Sequence, residues 1–191
     1  RFQQWEQPLE EKETIKPCVE VFNGEAYKGL NPFTLSKDEL EYAQQHLRIL
    51  SGLYGMLKPL DLMFPYRLEM GTKWEIDAKT KNLYAFWTEK LTKHIQTEKP
   101  AFIINVASSE YFKAVKFKKL GIKTITPIFK DFKNGDYKVI MMYAKHARGA
   151  MARYCIQNRI GDPEQIKLFD IDGYAYNDLL SNENEWVFTR S

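Results

Sequence analysis

The sequence predicts a single α+β domain. Three observations carry that prediction: apolar residues at helical spacing in two separate stretches, a short apolar run behind a Lys-Pro break, and an Asn-Gly dipeptide between two strand-like segments. The whole chain, 1–191, reads as one unit, because no repeat, low-complexity tract or long linker divides it. With 44% hydrophobic residues, a chain of this length can bury a sizeable core.

In chain order, Ser36-Lys37-Asp38-Glu39 matches a capping box, and Leu40, Ala43, Leu47 and Leu50 follow at helical spacing. This predicts a helix over 36–50 that is closed at Gly52. From Lys81 to Ile95, the residues Leu83, Trp87, Leu91 and Ile95 recur every fourth position and predict a second core helix. Lys99-Pro100 interrupts that period, and the run from Ala101 to Val106 then reads as a buried strand, with Ser108 placed to cap the segment after it. Segments 124–132 and 136–144 flank Asn134-Gly135, the pair that best accepts the positive φ angles of a two-residue hairpin. Pro127 has no N–H for a ladder and belongs at an edge or bulge. A third helix is predicted over 145–159, stopped by Gly161-Asp162-Pro163, and the acidic tail ends in a strand at Trp186–Thr189.

Composition narrows the function classes. Twelve Phe, 11 Tyr and 4 Trp argue against a disordered chain, and no apolar run approaches the roughly 18 residues that cross a bilayer. Cys18 and Cys155 lie far apart, so they imply neither a disulfide framework nor a structural zinc site and suit a reducing cytosol, giving a cytoplasmic expectation. Arg1–Glu13 carries four glutamates and no signal-peptide stretch, and Arg1 in place of Met implies that a natural start is absent. Residues 112–159 hold twelve Lys and Arg against Asp131 and Asp136. That block is +10 and leaves −7 for the rest of a chain whose formal charge is +3. Such asymmetry marks either a surface that attracts a polyanion or a lysine-protected sheet edge.

Four segments carry candidate chemistry. On the third helix, Lys145, Arg148 and Arg159 fall within about 60° at 100° per residue, beside the apolar sector of Ala147, Met151, Tyr154 and Cys155, while Arg153 points elsewhere. They make either a phosphate-contacting ridge or a solvated face. The glycine-bracketed segment 50–60 reads as a phosphate-holding turn or as a glycine C-cap between two helices. Asn105, Ser108, Glu110 and Tyr111 lie where a strand ends and a helix begins, the usual position of sites in α/β folds; helix capping is the plainer role for Ser108 and Glu110. Within 63–71, Tyr66 and Arg67 offer a stacking and phosphate-clamping pair, or Arg67 pairs with Glu69 to pin the loop. His46, His94 and His146 are scattered without ligand spacing, which leaves metal and serine-hydrolase readings weak and implies no cofactor.

The segment from Tyr42 to Leu62, followed by Pro65–Gly71, closely resembles the signature of the YaaA family of bacterial peroxide-stress proteins. The likeness continues through 22–30, 83–87, 105–112, 143–154, Gly173-Tyr174 and Val187-Phe188. Family members begin with a strand and a Ser-Pro-Ala-Lys-Thr motif that has no counterpart here, so an N-terminal segment is expected to be missing. The resemblance implies a family-specific mixed α/β fold with a helix-hairpin-helix-like element, binding to duplex and distorted DNA, and protection from peroxide by lowering unincorporated iron. Carried over by residue, the hairpin falls on Ser51, Gly52, Leu53, Tyr54 and Gly55, with Lys58 just beyond; the basic wall takes Arg48, Arg67, Lys145, Arg148 and Arg153. Gly52 and Gly55 enclose two residues where a Gly-apolar-Gly triplet is usual, so the element is a relaxed version. With no dense Cys, His and carboxylate set, the effect on iron is indirect or needs the absent segment. The alternative is an enzyme of unassigned reaction class acting on a nucleobase or small phosphorylated ligand, with Tyr66, Glu69, Asn105, Ser108, Glu110 and Tyr111 around a pocket. A third reading is a protein-binding module that uses the aromatic loop.

Overall fold

Local chemistry sets most element boundaries in the computed structural model, which describes residues 15–191. The glutamate-bearing opening segment lies outside that range. In chain order the elements begin with β1 (Lys16–Pro17), α1 (Cys18–Val21), α2 (Glu25–Leu30), α3 (Lys37–His46), β2 (Ile49–Ser51), β3 (Gly55–Leu57), β4 (Leu62–Met63) and α4 (Leu83–Glu98). They continue with β5 (Phe102–Ile104), α5 (Ser109–Phe112), α6 (Phe117–Leu120), β6 (Lys123–Lys133), β7 (Asp136–Lys138), α7 (Met141–Gln157), β8 (Ala175–Tyr176) and β9 (Glu185–Arg190). The main sheet runs β5-β6-β9-β8, with β5, β6 and β9 parallel, β8 antiparallel, and β7 folded back on the end of β6. Helices and a mixed sheet make the α+β fold that the sequence predicts.

The capping box at the start of α3 is fully formed: Ser36 Oγ accepts the Glu39 N–H and Glu39 Oε2 accepts the Ser36 N–H, at 3.2 and 2.6 Å. α3 stops at His46, not at Leu50. Leu47 is already extended, the Arg48 guanidinium donates to the Leu47 carbonyl, and Ile49-Leu50 pair with Leu57-Met56 across β2–β3. Leu47 and Leu50 fit a helical stripe and a strand equally well by spacing. Pairing decides for the strand. α4 runs as predicted, capped by Asn82 and ended by Lys99 in the left-handed region before Pro100.

The Asn134-Gly135 turn takes φ values of 55° and 80°, the doubly positive conformation expected of a two-residue hairpin. Its second arm is only Asp136–Lys138, and α7 starts at Met141, so the predicted strand over 136–144 is corrected. Helix wins there because Ala144 joins Ala147 and Met151 on one buried face of α7. Pro127 sits within β6, not at the sheet's outer edge. Thr126 N–H bonds toward β9, so position 127 faces the other side, where β5 has already ended at Ile104; no donor is needed there. β5 itself is half-buried, being paired on one side only among the described residues. Ser108 precedes α5 but makes no side-chain capping bond.

Two glycines join α2 to α7. A Cβ on Gly29 would lie 2.1 Å from the His146 carbonyl oxygen, and one on Gly149 would lie 1.7 Å from that of Ala26, so only glycine permits this approach.

Both thiols are shielded, Cys18 fully and Cys155 in part. Cys18 is fully buried with Sγ donating to the Lys58 carbonyl at 3.0 Å, and burial pushes both Cys18 and Cys155 up to about 12. Since the thiolate is the form that reacts with peroxide and disulfides, both cysteines stay protonated and inert at neutral pH. A thiol-titrating reagent at pH 7.5 is expected to modify neither cysteine rapidly in the native protein and both after denaturation. Fast native labelling of either would contradict the packing.

Candidate functional site

The crossover from β5 to β6 runs through α5 and α6 and packs, with α4, on the face that Ile103 presents. α7 covers the opposite face, against Phe102, Ile104, Ile125 and Phe129. Connections therefore leave β5 and β6 on opposite faces of the sheet. In open α/β sheets the carboxyl ends of strands whose connections part in this way are where ligands bind. Asn105 closes the end of β5: it is buried, its N–H extends the ladder to the Ile125 carbonyl, its Nδ2 donates to Thr126 Oγ1 at 3.1 Å, and its Oδ1 accepts the Ala107 N–H.

Beside it lie the β2–β3 hairpin and the loop after β4. Ser51 Oγ, fully buried, accepts the N–H groups of Leu53 and Tyr54 and lies 2.5 Å from the Tyr66 hydroxyl. Tyr66 packs edge-on against Tyr54 and Phe22, and Phe22 stacks on Tyr27 at 5.1 Å. Tyr27 of α2 and Tyr111 of α5 complete the group. Burial, and then the neighbouring Tyr66 and Glu110, push the Tyr111 hydroxyl up to about 12; burial likewise raises Tyr27, where Tyr66 and Tyr111 add to the shift. Glu110 Oε1 accepts the Gly71 N–H at 2.6 Å, and Tyr84 donates to the Glu110 carbonyl, which ties loop and helix together. The structure thus gathers Tyr66, Glu110, Tyr111, Asn105 and the exposed Glu69 at one end of the sheet. Ser108 borders the same loop without a hydrogen bond of its own side chain. The Arg67–Glu69 ion pair weighed from sequence is not formed.

The residues expected to meet DNA are placed differently. Segment 49–57 is a two-stranded antiparallel hairpin in place of the helix-hairpin-helix-like element that the resemblance implies. Gly55 (φ 79°) lies against the Trp87 ring, Gly52 against the Leu68 carbonyl, and Trp87 donates to the Gly52 carbonyl at 2.9 Å; these contacts hold the turn in β geometry. Leu53 and Tyr54 form its tip, and Lys58 follows it half-buried. Arg48 pairs with Glu98 at 2.8 Å. Arg153 donates to the Leu30 and Asn31 carbonyls at the end of α2. Arg159 lies past the end of α7, with its guanidinium 5.8 Å from the Tyr42 ring centre. Arg148 turns inward onto the Ala107 carbonyl. The three-cation ridge is therefore not formed, and Lys145 alone of its members is exposed without a hydrogen bond, ion pair or ring contact among the described residues, with Glu25 near enough to feel its charge.

Sequence reasoning missed two features. Tyr27 joins this group because α2 is drawn onto α7, a tertiary effect whose only local hint is the Gly29/Gly149 pair. The second is an exposed apolar and cationic face: Phe132, Val139, Met141, Met142 and Tyr143 stay exposed beside Lys133 and Lys138, next to a cleft of about 530 Å³ lined by Asp131, Phe132, Lys133, Ile140, Tyr143, Arg190 and Ser191. The apolar run 139–143 directly after a hairpin was its legible signal.

These parts define an α+β protein with a polar and aromatic cluster at the carboxyl end of β5 and a separate cationic hairpin. Among the described residues no helix is long and apolar enough to cross a membrane, and no group of three or more His, Cys, Asp or Glu is placed to hold a metal ion. The chain belongs to the family of the peroxide stress protein YaaA, whose profile matches residues 1–180. Among its relatives, a UPF0246 protein of Teredinibacter turnerae is 53% identical over 194 residues, spanning 100% of this chain and 75% of the relative. Proteins of the same designation in Colwellia psychrerythraea and Neisseria gonorrhoeae are each 50% identical, over 100% and 98% of this chain and 75% and 73% of their own lengths.

Proposed function

We propose that the protein serves the peroxide-stress role of its family by binding duplex and distorted DNA in the cytosol without reading its sequence. The contact face is the β6–β7 hairpin and the first turns of α7. The observation that carries this reading is that Lys133, Lys138 and Lys145 are all exposed and none closes an ion pair or hydrogen bond among the described residues, although Asp136 faces Lys133 and the Arg190-bound Asp131 faces Lys138 across the ladder, and Glu25 feels the charge of Lys145. The acidic tail neutralises little of the basic block: Lys123 pairs with Glu164, while Lys116 pairs with Glu89 of α4. α7 begins without a capping side chain or an acid in its first turn, so its positive end adds to the same potential. Phe132 and Tyr143 offer ring faces to bases wherever a duplex is opened. The protein's part in lowering unincorporated iron is then indirect, since among the described residues no group of three or more His, Cys, Asp or Glu is placed to hold a metal ion.

Lysines that displace condensed counterions make binding salt-dependent, with log K falling at about −0.9 per neutralised phosphate. The combined replacement Lys133→Glu, Lys138→Glu and Lys145→Glu is expected to weaken duplex binding at least about 30-fold and to flatten the salt slope by about 2 to 3. Fluorescence anisotropy with a labelled duplex across 50–300 mM salt, at roughly physiological strength and either side of it, measures both. Unchanged affinity and slope would place DNA elsewhere or nowhere.

A further inference from the structure

We propose that the cleft between the end of β6, the end of β9 and the start of α7 receives a single unstacked base from distorted DNA, with Tyr143 as its stacking surface and the Asp131–Arg190 pair as its polar partner. This rests on the DNA-binding reading and deepens it: the hairpin lysines hold a strand by its phosphates, and the cleft beside them holds a base.

The cleft measures about 530 Å³, within the range of about 300–1,000 Å³ usual for small-ligand sites. Its charges disfavour a phosphate there. Arg190 donates to Asp131 Oδ1 from Nε at 2.7 Å and meets the same oxygen with Nη2 at 2.5 Å, so the two form a neutral unit whose carboxylate would repel an anion. A neutral group with a polar edge fits better, because hydrogen-bonding capacity is left over. Three of the five N–H groups of Arg190 are engaged, two by Asp131 and one by the Asp172 carbonyl at 3.3 Å, which leaves two for the carbonyl or ring-nitrogen acceptors of a base. Asp131 Oδ2 accepts the Tyr174 hydroxyl and keeps a second lone pair for a ring N–H or amino group. Both partners are held in place: Asp131 is 6% exposed, and the guanidinium lies 4.9 and 4.5 Å from the ring centres of Tyr143 and Tyr174.

The rest of the lining is aromatic and open to water. Tyr143 and Phe132 border the cleft and remain exposed, next to exposed Val139, Met141 and Met142. Apolar surface of this kind beside a cleft marks a binding site, and stacking on a ring accepts any base, which agrees with contact to DNA that ignores sequence. The charges around the cleft favour a base still attached to its strand. Lys133 lines the cleft and Lys138 sits across the ladder from Asp131, both exposed and placed to take the phosphates on either side of that base. A base stacked inside a plain duplex does not reach the cleft, and freeing one costs least where pairing is already lost. Distorted DNA therefore gains a contact that plain duplex lacks.

The test is fluorescence anisotropy of the full chain with three labelled duplexes of one sequence: fully paired, carrying one unpaired thymine, and carrying an abasic residue at that same extra position. We expect the unpaired thymine to be bound about tenfold more tightly than its abasic counterpart, with equal salt slopes because the base adds no charge. Tyr143→Leu should bring those two duplexes within about twofold of each other. Lys138→Glu combined with Lys145→Glu should weaken both and keep their ratio. In the unaltered protein, 5-iodouracil in place of the unpaired thymine should crosslink on irradiation to a residue that lines the cleft. Equal binding of the thymine and abasic duplexes, a ratio that survives Tyr143→Leu, or crosslinks confined to other parts of the protein would overturn the proposal and leave the DNA-binding reading standing. Failure to bind any of the three duplexes would remove both. If Tyr143→Leu does not fold, the crosslinking decides.

Discussion

Gly149→Ala is expected to lower the melting temperature by about 10 °C, the largest effect of any single methyl added to this protein. The new Cβ would lie 1.7 Å from the Ala26 carbonyl oxygen and 2.8 Å from the Leu30 backbone nitrogen, both within or bounding α2. Overpacking commonly costs about 1–3 kcal/mol when side chains can give way. Here the obstacle is helix backbone, so the whole of α2 must retreat and the cost reaches about 3 kcal/mol. In a domain of 150–250 residues each kcal/mol moves the midpoint by about 2–4 °C. Gly29→Ala meets the His146 carbonyl at 2.1 Å and should behave alike. Scanning calorimetry of both variants decides the matter: midpoints within 2 °C of the parent, less than about one kcal/mol, would mean that the two helices are not in backbone contact.

Asp131→Ala should cost about 3 kcal/mol through a different mechanism. Asp131 is 6% exposed, and its Oδ1 accepts from Arg190 at 2.7 and 2.5 Å while Oδ2 accepts the Tyr174 hydroxyl at 3.1 Å. Asp131 and Arg190 also face each other in the β6–β9 register, so the pair ties the last strand to the sheet. Removing the carboxylate leaves Arg190 between the Tyr143 and Tyr174 rings with no counter-ion. Breaking a buried pair from one side costs about 3–5 kcal/mol, and the partial exposure of Arg190 puts this case at the low end. Tyr174→Phe loses one hydrogen bond and should cost about 1 kcal/mol. Urea unfolding gives both values at constant slope. A loss below about 1 kcal/mol for Asp131→Ala would show the pair to be only a surface contact.

How far each feature could be read from sequence depends on the range of the forces behind it. The α3 capping box and the Asn134-Gly135 turn were legible because each is closed by atoms three residues apart or fewer. The second hairpin, at 52–55, was not, because Trp87 and the Leu68 carbonyl, distant in the chain, hold its glycines. The candidate site was half legible. Asn105–Tyr111 announced itself as a strand end, and Tyr66–Glu69 as a polar aromatic loop, yet nothing local brings Tyr27 to them.

The basic block divides along the same line. That residues 112–159 carry a large positive excess is a property of the chain alone, independent of how it folds. Which of those cations meet solvent was decided by the tertiary structure. The carbonyls of Leu30, Asn31 and Ala107 capture Arg153 and Arg148, while Lys133 and Lys138 stay exposed on the hairpin, opposite Asp136 and the Arg190-bound Asp131, without closing an ion pair among the described residues. Periodicity and turn chemistry act over a few residues and are written in order along the chain. A hydrogen bond between residues 41 or 123 positions apart exists only once packing has closed the loop between them.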